Sequence, residues 1–402
     1  MDVAPVGVPP RFDVFDPHTL TDPYQAYRQA REAAPICRGG PGQWVVLRHA
    51  DISRLLRDDR LGTEFPPEYQ DLACGDSQIA TLRSHIVMTR DGAVHNRLAR
   101  LMGQAFSPTR DRSLIAGIDR EVRGAVDRVL ALGHFDALND LAFPLVVEIL
   151  CRALGVAPSD AVPWRARVLD LGRAFVPVIP AEERAGIDAT IEALRDVVRP
   201  VVAARRTDPR DDLVSRLVAA QATEDWLSTD MVVDNVVFLW FAGFETTVNL
   251  VANGCAILAE RDRLLTRLRA EPALVPGAVE EFARFEAPIQ VTSRYVRAPV
   301  EVGGRTVRRG RIVHLVLGSG NRDPEQFADP DTVDPTRSPN QHLGFGGGPH
   351  YCLGAPLARL ICRTLFAELT ARTGLVPAAP AERAQRVIFR GYRRVPLVAE
   401  AV

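Results

Sequence analysis

Along most of the chain, apolar residues return every three or four positions, the period of a helix with one buried face. "YQAYRQAREAAP" from Tyr24 predicts a helix, and "QWVVLRHA" from Gln43 predicts a strand leading into a helix at Asp51. Residues 62–87, rich in proline, glycine and polar side chains, predict a long loop. Ile115, Ile118, Val122, Val126 and Val129 share one helical face, and Gly133 ends that run. The pattern predicts further helices over 139–154, 160–174, 182–204 and 210–221. The most apolar segment, 229–258, begins at Ser228, whose hydroxyl suits an N-cap. "VEVGGRTVRRGRIVHLVL" alternates around Gly303 and Gly304 and predicts a β-hairpin. A last helix is expected from Leu353 to Thr373, stopped by Gly374. The expected fold is mainly α with a small β part, in a single domain over residues 1–402.

Composition adds exclusions. The 402 residues are 47% hydrophobic and 25% charged, with a net charge of -1. This near-neutral balance argues against nucleic acid or an acidic membrane as the main partner. The first twenty residues have no basic start and no apolar core, so no secretory signal is expected. The stretch from Met231 carries Asp234 and Asn235 and falls short of the ~20 apolar residues that cross a bilayer. A soluble cytoplasmic protein is expected. All 49 basic residues are arginine. Without lysine there is no Schiff base, which excludes pyridoxal and lysine-aldolase chemistry. A phosphate-binding P-loop is excluded as well.

The six cysteines are Cys37, Cys74, Cys151, Cys255, Cys352 and Cys362. None forms a CxxC pair, and no spacing fits an iron–sulfur cluster or a four-ligand zinc site. Five read as small buried apolar side chains. Cys352 differs because it lies in "FGGGPHYCLG", where Gly346, Gly347 and Gly348 let backbone approach something flat and bulky. A helix is expected just after it, which places the sulfur near the positive end of a helix dipole and favours thiolate. A thiolate in a loop pressed against a planar group meets the needs of axial heme ligation. One alternative is a glycine-rich turn around a buried cysteine. A zinc site on His350 and Cys352 lacks two further ligands.

The pattern Phe345-Gly346-x-Gly348-x-His350-x-Cys352-x-Gly354 closely resembles the heme-binding loop of the cytochrome P450 family. Three further motifs carry the same resemblance, which runs from about Asp22 to Leu397. Glu281 and Arg284 in "EEFAR", with Arg337 in "DPTR", correspond to the family's buried charge network; taken alone, the first two would read as an exposed i,i+3 pair. "FAGFETTVN" places Ala242, Gly243, Glu245 and Thr246 where the family has its oxygen-binding groove. Thr246 can bond a carbonyl one turn back and open the helix locally; without the cysteine loop it would read as a core threonine. "RDGAVHNRLARLMGQAFSP" is similar to the helix that grips a heme propionate, with His95 matching. One turn later Ala99 stands where the family usually has arginine, and Arg97 and Arg100 point to other faces. His95, Arg294 and His350 remain as propionate partners by analogy.

The resemblance implies a heme-thiolate monooxygenase that uses heme b (iron protoporphyrin IX) and O2, with Cys352 as the iron ligand. Glu245 and Thr246 would handle protons. Electrons from NAD(P)H would arrive through a separate ferredoxin and ferredoxin reductase, and a monomer acting on a small-molecule substrate is expected. Alternatives on the same fold are radical coupling, peroxide-driven oxidation and a non-catalytic heme sensor. Counting back from Thr246, Ala242, Phe241 and Phe238 share a helix face and are expected in the distal pocket, whereas Trp240 and Phe244 read as core. By analogy Val291, Thr292 and Phe389 complete the pocket. Its phenylalanines suit an aromatic or polycyclic natural-product intermediate.

Overall fold

The computed structural model describes residues 8–17, 22–105, 112–157, 171–175, 179–386 and 388–402. Helices dominate it, as the periodicity predicts. The longest runs Thr229–Ala259, and the Ser228 hydroxyl caps it by accepting from the Met231 amide. It packs against Phe143–Leu154, Ala181–Ala204 and Val275–Phe285 and is buried through nearly its whole length. Among the described residues it is the one helix long and apolar enough to cross a membrane. In its most apolar window 78% is buried inside the protein, so its apolarity serves the core.

Among the described residues, four small sheets flank the helices. The largest has the strand order Ile36–Arg38, Gln43–Val46, Ile312–Leu315, Thr292–Val296, Leu61–Gly62. Within it Gln43–Val46 runs parallel to Ile312–Leu315, and the other neighbours are antiparallel. A second sheet joins His134–Asp136, Pro396–Ala401 and Thr373–Pro377.

Several boundaries differ from the sequence reading, each for a local reason. The expected loop 62–87 contains two helices. Pro67–Cys74 starts on a proline in its first turn and ends at Gly75, with φ of 65°. Gln78–His85 follows, capped by Ser77 accepting from the Ala80 amide. The helix expected over 160–174 falls mostly outside the described residues, and its end is a short 3-10 turn, Leu171–Phe175. The 139–154 run divides into a π-helical turn, Ala137–Ala142, and a helix, Phe143–Leu154, closed by left-handed Gly155. The hairpin closes early: Val300–Val302 pairs with Arg305–Val307, while Ile312–Leu315 joins the large sheet. The last helix spans Ala355–Arg372 and is not stopped by Gly374. Thr373 already turns extended, and Gly374 lies inside the following strand.

Candidate heme-thiolate site

A cavity of about 440 Å³ lies between the long helix, the loop before Ala355–Arg372 and the large sheet. Cys352 is on its wall. Of the six cysteines it is the exposed one, and the surface it exposes faces this cavity. The loop is shaped by two glycines with left-handed backbone, Gly346 at φ 72° and Gly348 at φ 66°. A Cβ on Gly348 would fall 2.1 Å from the Leu56 carbonyl oxygen, so only glycine fits against that turn. The Cys352 amide donates to the Phe345 carbonyl at 3.0 Å, which closes the loop. Gly354 has no protein atom near the position of a Cβ. Phe345 also lines the cavity and carries the Arg359 guanidinium 4.2 Å above its ring.

Burial pushes the Cys352 thiol up; the Gly354 and Ala355 amides and the Arg359 charge pull it back. The expected help from the helix start is therefore present but outweighed. A cationic centre on the cavity side is what this sulfur needs to stay a thiolate, and a heme iron held there would supply one.

The second sign of fit is Arg294. It is buried on the cavity wall, donates to Thr292 Oγ1 at 2.8 Å and the Ser293 carbonyl at 2.9 Å, and pairs with no carboxylate among the described residues. Burial pushes its guanidinium down to about 10, with Asp91 opposing. A heme propionate would compensate such a cation. His95 and His350 share this wall with ring centroids 4.1 Å apart. Sequence reasoning missed Asp91, which takes His350 Nε2 at 3.0 Å, accepts the Thr63 and Glu64 amides and pairs with Arg297. His350 thus already holds one carboxylate. Ala99 is half-buried against core residues, and Arg97 and Arg100 turn to Glu224.

On the long helix, Thr246 Oγ1 donates to the Ala242 carbonyl at 2.8 Å, the back-bond anticipated from its position. Both residues line the cavity. Gly243 is small for an additional reason, since a Cβ there would meet Leu150 at 3.0 Å. Glu245 departs from the expected arrangement. It is buried and off the cavity wall, accepting from Arg386 Nη1 at 2.8 Å and Asn249 Nδ2 at 3.1 Å.

Phe238, Phe241, Val291, Thr292 and Phe389 all line the cavity, while Trp240 and Phe244 are core. The sequence reading did not anticipate Phe175. Its ring stacks on Phe241 at 5.5 Å and meets Phe238 edge-on at 5.9 Å, and Phe389 meets Phe241 edge-on at 5.7 Å.

Behind the loop, Glu281 and Arg284 join through two hydrogen bonds, and Arg337 Nε and Asn340 Nδ2 reach Glu281 Oε1 at 3.1 and 3.0 Å. Arg284 also donates to the carbonyls of Asn321, Pro330 and Thr332, so it braces the segment that leads to Cys352.

Comparison with known proteins agrees with this geometry. The family model described as cytochrome P450 matches residues 167–372. The biotin biosynthesis cytochrome P450 of Bacillus subtilis is 32% identical, covering 93% of this chain and 94% of that protein. The crystal structure of CalO2 superposes with a TM-score of 0.90 at 31% identity, covering 97% of this chain and 99% of that one. P450BioI, solved with acyl carrier protein ligated to hexadec-9Z-enoic acid, gives 0.87 at 28% identity, covering 95% and 99%. With relatives at 30% identity or more matched over nearly the whole length, and a family model matching half of it, the chain belongs to the cytochrome P450 family.

Proposed function

We propose that this P450 monooxygenase oxidises a small aromatic or polycyclic natural-product intermediate, with heme b held by Cys352 and electrons supplied from NAD(P)H through a ferredoxin and its reductase. The observation that carries the reading is one cavity lined by Cys352, by the Thr246–Ala242 back-bond and by the mutually packed rings of Phe175, Phe238, Phe241 and Phe389. When bound, the heme supplies one-electron redox chemistry and oxygen activation.

The chain's own residues supply the rest. Cys352 would ligate the iron as thiolate, with Arg294, His95 and His350 against the propionates. The apolar wall excludes bulk water from the reacting centre. Thr246 holds a proton on Oγ1, and its bond to the Ala242 carbonyl fixes where that hydroxyl sits. Glu245, one residue away and off the cavity wall, is held by Arg386 and Asn249, so it fastens this turn of the helix to the segment that carries Arg386.

The carbonyl complex of the reduced protein tests the ligand. Wild type and Cys362→Ala should show the red-shifted Soret band of a thiolate heme, and Cys352→Ala should lose it. A band that persists in Cys352→Ala, or vanishes in Cys362→Ala, would refute the assignment. Product formation from NADPH with a ferredoxin and reductase, absent with peroxide alone, separates monooxygenation from peroxide-driven chemistry.

A further inference from the structure

Glu280 precedes Glu281 of the buried charge network but turns to a different set of partners. It accepts from Arg359 Nε at 2.9 and 3.1 Å, from Arg359 Nη2 at 2.9 Å and from Arg363 Nη2 at 2.9 Å. His342 Nε2 is also 3.1 Å away, and the Gly344 amide donates to Nδ1 of the same ring, so the proton sits on Nε2 and the imidazole is neutral. One carboxylate thus meets two guanidinium groups. Arg363 is the more exposed of the two and is screened by water, which leaves Arg359 as the cation that matters inside.

Arg359 belongs to the second turn of the helix Ala355–Arg372, where side chains lean back toward the helix start. Its guanidinium lies 4.2 Å from the centroid of the Phe345 ring, and Nη1 donates to the Tyr351 hydroxyl at 2.8 Å. A cation within about 6 Å of a ring centroid is attracted to that ring. Phe345 lines the cavity with Cys352, and its carbonyl accepts the Cys352 amide, whereas Arg359 and Glu280 stand off that wall. The Arg359 charge nevertheless reaches the sulfur, since it pulls the Cys352 thiol down. A fixed cation therefore stands behind the ring that borders the ligand loop.

We propose that Arg359, held over Phe345, raises the reduction potential of the bound heme and that Glu280 offsets part of this effect; this rests on Cys352 being the iron ligand. Adding one electron makes the heme and its thiolate more negative. A nearby positive charge favours that reduced state, and a nearby carboxylate opposes it. Arg359 and Glu280 are positioning residues, because neither touches the cavity. Together they set how readily the site accepts an electron.

The test is a dithionite titration with redox mediators on substrate-free, heme-loaded wild type, Glu280→Gln, Arg359→Gln and Arg359→Lys. At one applied potential, Arg359→Gln should lower the ratio of reduced to oxidised heme by at least about threefold, and Glu280→Gln should raise it by at least as much. The glutamine at 280 keeps an oxygen for Arg359, which Tyr351 and the Phe345 ring still hold, so the charge is what changes. Arg359→Lys keeps the cation without the planar fork and should fall between wild type and Arg359→Gln. Loosened packing alone would move both glutamine variants the same way. Shifts of one sign in both, or a change of less than about threefold in either, overturn the proposal. If Arg359→Gln fails to retain heme, the rise in Glu280→Gln decides alone. The carbonyl complex of each sample separates this proposal from the ligand assignment. A wild type without the red-shifted thiolate band overturns both; with the band present, unmoved potentials overturn this proposal and leave Cys352 as the ligand.

Discussion

Arg284 meets Glu281 through hydrogen bonds of 2.6 and 2.8 Å, and neither side chain is exposed to solvent. A buried pair of this kind is costly to break, because the surviving charge keeps its desolvation penalty and loses its partner. Removing one member costs about 3–5 kcal/mol. Arg284→Met should lower urea stability by that amount, because Glu281 then retains only Arg337, Asn340 and the Asp334 amide. The carbonyl complex should simultaneously shift away from the thiolate position, since Arg284 also ties down the carbonyls of Asn321, Pro330 and Thr332. Stability unchanged within about 1 kcal/mol would mean the pair is not structural.

Thr246→Ala removes a hydroxyl that is bonded to the Ala242 carbonyl on the cavity wall. The loss to stability should be small, about 1 kcal/mol for one neutral hydrogen bond, and heme content should stay at the wild-type level. Product formed per NADPH should fall severalfold, with the missing electrons recovered as hydrogen peroxide. Thr246→Ser, which keeps the hydroxyl, should restore most of the yield. An alanine variant with undiminished yield would remove Thr246 from proton handling.

Much of this site is legible in sequence because its chemistry needs particular residue types at short range. Gly348 must be glycine where the Leu56 carbonyl presses on it, and Cys352 lies four residues later in the same loop. The helix Gln78–His85 was harder to see. Its signals, a serine cap and a glycine three residues before the first turn, are embedded among polar residues with weak amphipathic contrast. Asp91 and Phe175 escaped notice for a different reason: their partners, His350 and Phe241, are 259 and 66 positions away, and no local pattern announces such a meeting. The orientation of Glu245 was equally hidden, since Arg386 comes from the C-terminal ribbon region 141 residues on.

The aromatic wall should bind rings by contact geometry. Phe241 is stacked on Phe175 and edge-on to Phe389, and Phe238 is edge-on to Phe175. Such contacts contribute ~0.5–1.5 kcal/mol beyond area burial, so Phe238→Ala and Phe241→Ala should each weaken an aromatic ligand by about two- to tenfold. The carbonyl spectrum should be unaffected. Long-chain fatty acids are the telling control, because P450BioI was solved with a hexadec-9Z-enoic chain. If they prove the tightest ligands here, or if both variants bind the aromatic probe like wild type, the pocket is not an aromatic one.

The pH response of the fold should depend measurably on His314. Its ring lies buried between two strands of the large sheet, with Nδ1 2.9 Å from Ser293 Oγ and Nε2 3.1 Å from Gln43 Oε1. The Gln43 oxygen can only accept, so Nε2 carries the proton and Nδ1 accepts from the serine hydroxyl. This is a fully satisfied neutral imidazole. Burial pushes His314 down to about 4, with Asp13 weakly opposing, whereas an unfolded histidine titrates near ~6.5. Because the folded value is the lower one, the contribution is complete above pH ~6.5 and is lost as pH falls toward 4, where the unfolded chain gains a proton that the folded chain refuses. Between pH 7 and pH 5 the loss should be about 2 kcal/mol. Burial pushes His49 and His95 down as well, so they act with the same sign, and the wild-type slope alone does not isolate His314. His314→Gln keeps a donor and an acceptor but does not titrate. Urea unfolding of both proteins at pH 7 and pH 5 should therefore show a clearly shallower loss in the variant. Parallel losses in the two proteins would mean that His314 takes up its proton in the folded state as readily as in the unfolded one, and that the strand pairing tolerates a charge there.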